Sequence, residues 1–139
     1  MKMRSILMII CLFIGATSIQ LSAQSINRSS QGWAYPVFET PVFCDGVMVD
    51  YVRGTVKCHW VAHYKDGWIW EIDQAKGEGI SMKTGELFRY KETDKISYVE
   101  GIVTWKYNLK GNMGNHYIGT ITMDMSTWEI IEVGHTVCN

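Results

Sequence analysis

Along residues 55–64, Val56, Cys58, Trp60, Ala62 and Tyr64 fall on one side of a period-two alternation. Thr55, Lys57, His59 and His63 fall on the other, and only Val61 breaks the polar side. An extended chain sends successive side chains to opposite faces, so this pattern predicts a half-buried strand. Lys65-Asp66-Gly67 supplies a turn with glycine where a positive φ is wanted, and residues 68–72 return as the partner strand. The alternation recurs in Val103, Trp105, Tyr107 and Leu109 against Thr104, Lys106, Asn108 and Lys110, and in Tyr117, Ile121 and Met123 against His116, Thr120, Thr122 and Asp124. Residues 111–115 are loop chemistry between those two strands, and Ser126-Thr127 divides 118–125 from 128–137 as another hairpin. A turn at Arg53-Gly54 would join 47–52 to 55–64, while Pro36 and Pro41 confine 33–43 to a short or edge strand. No window after the first two dozen residues repeats its apolar positions at roughly 3.6 residues, the helical period. The chain therefore reads as all-β, with about seven or eight strands linked mostly as a meander. Strands in that number must close or stack to protect their edges, so a small antiparallel β-barrel is expected, with a two-sheet sandwich as the alternative.

The amino terminus breaks this pattern. Met1-Lys2-Met3-Arg4 is a basic start, residues 6–15 are uninterruptedly apolar, and the stretch to Ala23 ends in small residues. The apolar run falls well short of the roughly 20 residues a membrane-spanning helix needs, so residues 1–23 read as a cleaved signal peptide. Residues 24–32 are too polar to order themselves and read as a flexible leader, leaving 33–139 as a single domain. Export to a secreted or periplasmic address places the cysteines in an oxidising compartment. Cys11 leaves with the signal, and Met8-Ile9-Ile10 before it do not make a lipid-attachment site. Cys44, Cys58 and Cys138 remain. With a turn at Arg53-Gly54, Cys44 runs several residues past the partner of Cys58, whereas Cys44 and Cys138 stand at the two ends of a sheet whose first and last strands a barrel brings together. The expected bridge is Cys44–Cys138, with Cys58 a small buried hydrophobe.

The whole chain carries 13 basic and 14 acidic residues, and removing Lys2 and Arg4 with the signal leaves 11 against 14, a net charge of −3. That balance offers no basic surplus for phosphate, which argues against nucleic acid and anionic membrane surfaces as partners. All six Trp and all seven Tyr lie beyond residue 23. Trp60, Trp68, Trp70, Trp105 and Tyr107 are the candidate ligand-binding residues: if their strands are neighbours they either line a cup for a small apolar ligand or fill the core. Trp68 and Trp70 share one face and would suit a sugar ring. His59 and His63 have ligand-like spacing, but four residues of strand separate them by roughly 13 Å, too far to share one ion, so no metal site is assigned. Asp73, Glu78 and Glu86 lie near the turns around Gly77–Gly79 and Thr84-Gly85 and read as ordinary solvated acids. Gly77-Glu78-Gly79 lacks the strand-to-helix context of a phosphate loop and reads as a bulge or turn. No catalytic residue and no cofactor is assigned.

Cys44-Asp45-Gly46, Gly54-Thr55-Val56, Lys83-Thr84-Gly85-Glu86, the loop of residues 111–115 leading to His116-Tyr117-Ile118-Gly119, and the closing Val137-Cys138 form a familiar order. Over residues 43–139 the chain resembles a group of uncharacterised secreted bacterial β-barrel-like domains whose terminal cysteines bracket the sheet. The resemblance implies a fold and an exported address and brings no catalytic residues. The functional expectation is a secreted, non-catalytic binding or interaction domain for a small ligand or a protein partner. Its rivals are a small barrel enzyme of the cyclase or isomerase kind acting on an apolar substrate, and a structural or inhibitory surface protein. An apolar cavity with few titratable groups would favour the binder, convergent polar groups with displaced pKa values the enzyme, and a filled interior with an exposed apolar patch the surface protein.

Overall fold

A computed structural model describes residues 27–139, which form nine strands and no helix. They are β1 (Asn27–Ala34), β2 (Val37–Cys44), β3 (Val47–Lys65), β4 (Trp68–Ser81), β5 (Leu87–Ser97), β6 (Ile102–Gly111), β7 (His116–Asp124), β8 (Ile130–Val133) and β9 (Val137–Cys138). All pairings are antiparallel within one sheet, in the order β1-β3-β4-β5-β6-β7-β8. β1 and β2 lie end to end along one edge of β3, and β8 and β9 lie end to end along β7. The sheet curls until β2 comes against β7, and there Cys44 bonds Cys138 and the Phe43 amide donates to the Tyr107 hydroxyl at 3.2 Å. No ladder joins the two edges, so the fold is barrel-like but not closed by backbone hydrogen bonds.

Three expectations are corrected. Arg53-Gly54 is not a turn: β3 runs unbroken from Val47 to Lys65. Gly54 instead sits where β3 and β4 approach closely, since a Cβ there would lie 2.0 Å from the carbonyl oxygen of Glu78. The hairpin into β3 is Asp45-Gly46, with φ of 51° and 76°, the doubly left-handed pair that a two-residue turn requires. Residues 27–32, inside the segment read as a flexible leader, are strand β1. Their order comes from the backbone ladder to residues 60–65 and from Trp60 packed over Gly32, so apolar side chains of their own are not required. The strands number nine because Tyr35-Pro36 separates β1 from β2 and residues 134–136 separate β8 from β9. Residues 1–23, read as the signal peptide, lie outside the described residues. Among the described residues no helix is long and apolar enough to cross a membrane.

The core gathers the inward positions of six strands: Phe38, Val42, Val52, Val56, Phe88, Tyr90, Tyr107, Leu109 and Ile121, with Cys58 and Ala75 beside them. The buried tyrosines keep their hydroxyls satisfied. Phe38 stacks on Tyr90 at 4.0 Å, whose hydroxyl pairs with Thr40 Oγ1 at 2.8 Å and accepts from Trp105 Nε1 at 3.3 Å. Two buried acids tie down loops at this end. Asp50 accepts from Ser81 Oγ at 2.6 Å and from the amides of Tyr51 and Lys83. Glu86, only 1% exposed, accepts from the amides of Met113 and Asn115 and from the Asn115 side chain, joining the β4–β5 turn to the β6–β7 loop. Glu86 is thus a buried anchor and not a solvated acid. Glu86→Gln removes the charge from these bonds and turns one acceptor into a donor. We expect a loss of roughly 1.5–3 kcal/mol in urea unfolding; a change inside about 0.5 kcal/mol, typical of surface substitutions, would remove this role.

Candidate functional site

Beyond the apolar core, the inward face of the sheet changes chemistry. Register places Trp60, Asp73, Asp94 and Trp105 directly opposite one another on β3, β4, β5 and β6. The next inward row toward the core is Cys58, Ala75, Glu92 and Tyr107, and the next row away from it is Ala62, Glu71, Ile96 and Val103. Four carboxyl groups therefore share one interior face across three successive rows, the middle one bracketed by two indoles. Tyr98 adds a hydroxyl that donates to Glu71 Oε2 at 2.7 Å.

No cation among the described residues pairs with this group. Among the described residues the one ion pair is Arg53–Glu39, at 3.2 Å, on the outer surface. Asp73 Oδ1, Glu92 Oε2 and Asp94 Oδ1 are buried with no hydrogen-bond donor of another kind among the described residues, and the Asp73–Glu71 and Asp94–Glu92 side-chain hydrogen bonds need one carboxyl of each pair to keep its proton, an arrangement that penalises the ionised form. Burial, reinforced by the adjacent Glu92, pushes Asp94 up to about 9. Burial and then the neighbouring Glu71 carry Asp73 to about 7. Burial likewise raises Glu92 to about 7, with the Asp94 carboxyl partly offsetting it. Near neutral pH Asp73 and Glu92 sit at the boundary between donor and acceptor, while Asp94 keeps its proton. The free thiol of Cys58 is buried beside them, and burial followed by the charge of Asp73 raises it to about 11, so it stays protonated and poorly nucleophilic.

The five aromatic residues singled out from the sequence do not form one cup. Trp60, Trp105 and Tyr107 face the interior, and Tyr107 is part of the packed core. Trp68 and Trp70 are 48% and 37% exposed. Trp70 opposes His63 and stacks on its ring at 5.5 Å, one position out of phase with the inward Glu71, while Trp68 meets Tyr64 edge-on at 5.6 Å. His59 packs on Trp33 at 4.8 Å, so the two histidines serve different aromatic partners. Among the described residues no three His, Cys, Asp or Glu side chains are grouped to hold a metal ion.

Of the earlier acids only Asp73 belongs to the interior group; Glu78 is exposed and Glu86 is the loop anchor. Glu71, Glu92 and Asp94 went unread. The signal for Glu92 and Asp94 is the run Arg89-Tyr90-Lys91-Glu92-Thr93-Asp94-Lys95, in which every base holds one parity and both acids share the other with the buried Tyr90. No protein-family profile, curated protein or solved structure matches the chain.

Proposed function

We propose that this protein is a secreted, non-catalytic binding domain of the uncharacterised bacterial β-barrel-like group, and that its ligand is a small organic cation received at the carboxyl-lined end of the interior. The raised pKa values of those convergent carboxyls are the feature expected of a small barrel enzyme, which stands as the second reading. The observation that carries this reading is the set of three buried, unpartnered carboxyl oxygens in register between Trp60 and Trp105. An ammonium group offers both the donors and the charge these carboxyls lack, and indole faces favour cations over neutral molecules. The row extends from Gly32 on β1 to Val133 on β8, the two edges that no ladder joins, and both tryptophans in it are only half-buried, which supports access from solvent. The Cys44–Cys138 bridge is compatible with an extracellular or periplasmic setting.

Hexylammonium is a suitable probe, with hexanol and hexanoate as its neutral and anionic counterparts. Titration followed by tryptophan fluorescence at pH 8 should saturate with hexylammonium and be weaker at pH 5, where the carboxyls are protonated. In Asp73→Asn/Asp94→Asn the affinity should fall about tenfold, the loss of roughly one charge-assisted hydrogen bond. Equal binding of hexanol, or unchanged affinity in the double variant, would refute a cation site.

A further inference from the structure

The outer face of the same strands carries the opposite charge. Every acid of β4, β5 and β6 except Glu78 faces inward, and every base, namely Lys76, Arg89, Lys91, Lys95, Lys106 and Lys110, faces outward. Six of the 11 basic residues of the described chain therefore lie on one side of three adjacent strands, although the chain as a whole is acidic. Three consecutive grooves follow them along the β5–β6 seam. The first, of 310 Å³, lies at Arg89 and Lys110; the second, of 380 Å³, at Lys76, Lys91 and Lys106; the third, of 360 Å³, at Lys95 and Trp70. From Arg89 to Lys95 the track is roughly 20 Å long at the rise of an extended strand.

Two features show that these cations lack partners of their own. None of the six is in an ion pair among the described residues, and even Glu78, directly opposite Arg89, makes none. Lys57, Lys76 and Lys91 also stand directly opposite one another on three neighbouring strands, an arrangement that is destabilising unless something neutralises it. Of these only Lys57 has an aromatic face to rest on, with Nζ 4.2 Å from the centre of the Trp33 ring.

We infer that this outer track binds a linear anionic polysaccharide, its uronate or sulfate groups lying along the lysines and one sugar ring stacking on Trp70 at the end of the track. The length, the excess of basic over acidic groups, with Glu78 in the first groove and Glu100 in the third as the acids beside the lysines, and the terminal exposed indole fit a negatively charged glycan chain. Single-stranded nucleic acid is the poorer match, because its binding grooves interleave exposed aromatic rings with cations so that successive bases stack, whereas here Phe88 and Tyr107 in the first two grooves are buried in the core and Trp70 is the exposed ring among the groove residues. The site lies on the opposite face of the sheet from the interior carboxyls and does not depend on them.

The test is equilibrium binding of the full mature chain, at low and raised salt, to heparin and to polygalacturonate as sulfated and uronic probes. Polydeoxythymidylate, linear polyphosphate and phosphatidylglycerol vesicles serve as the competing anions. Binding to at least one glycan that weakens with salt is expected. Lys91→Gln/Lys106→Gln should weaken it by about tenfold or more, while Lys65→Gln, off the track, leaves it unchanged. Trp70→Ala should weaken glycan binding and leave polyphosphate unaffected. Far-ultraviolet circular dichroism and urea midpoints of each variant separate lost binding from lost folding. Absence of binding to both glycans at low salt, an equal effect of Lys65→Gln, or tighter binding to polydeoxythymidylate or vesicles would overturn the inference.

Discussion

Raising the pH from 5 to 9 is expected to weaken the fold progressively, with the urea midpoint falling across that range. Asp73, Glu92 and Asp94 hold their protons in the folded protein up to about 7, 7 and 9, whereas in the unfolded chain they release them near the ordinary carboxylate values of about 4. Between those limits the folded state binds more protons than the unfolded state, so stability is full below pH 4 and is lost as pH climbs through 7 toward 9. A difference of one proton corresponds to about 1.4 kcal/mol per pH unit, or roughly 3 kcal/mol between pH 5 and pH 7. Asp124 works in the opposite sense. Its hydrogen bonds with Ser126 and Thr127 lower its pKa, so its contribution disappears only in strong acid, outside this window. Urea unfolding at pH 5, 7 and 9 measures the slope, and Asp73→Asn/Glu92→Gln/Asp94→Asn should flatten it. A midpoint that rises with pH would mean that the interior carboxyls are ionised and paired by something else.

Removing the bridge should be nearly as severe. Cys44 and Cys138 are 94 residues apart, and closing so long a loop restricts the unfolded chain by roughly 4–5 kcal/mol on the chain-entropy account, an upper bound. That is a large share of the 5–15 kcal/mol that typically holds a domain together. Cys44→Ala/Cys138→Ala is expected to lose most of it, measured by urea unfolding against wild type. The effect should also be local. Hydrogen exchange should accelerate first in β2 and β9, because the Phe43–Tyr107 and Asp45–Thr136 hydrogen bonds and the short β9 ladder are what remain at the seam. A loss under about 1 kcal/mol would mean that the packing of β2 on β7 holds the seam without the covalent link.

The strands were legible where one side of an alternation was buried and the other wet. Val56, Cys58 and Ala62 face the core as their spacing requires, and so do Tyr107 and Leu109, while Lys106 and Lys110 stay outside. The bridge was also legible, although by a partly faulty route. Cys58 pairs in register with Ala34 and Ala75, far from Cys44, but the intervening turn is Asp45-Gly46 and not Arg53-Gly54. Gly54 misled because a glycine that admits a neighbouring backbone looks, in sequence, the same as one that turns a corner. β1 was hidden for another reason: its polar residues owe their order to the β3 ladder, and ladders join residues remote in sequence. The carboxyl group was hidden because burying acids without counter-charges runs against the usual partition, so Glu92 and Asp94 drew no reading, although the buried Tyr90 shares their face.

The sorting of charge by parity also guards the alignment of the strands. Shifting β5 by one residue against its neighbours would exchange its two faces. Arg89, Lys91 and Lys95 would then enter the interior, where Tyr90 now packs against Phe38, while Glu92 and Asp94 moved out beside the lysines of β4 and β6. The attraction between those acids and lysines would be earned at the surface, where water and salt weaken it, whereas the three displaced cations would be stranded in the core, where unpaired charge is most costly. A chain that misaligns at β5 during folding therefore meets a steep penalty at once, and the single in-register arrangement is the one from which it has no incentive to slide.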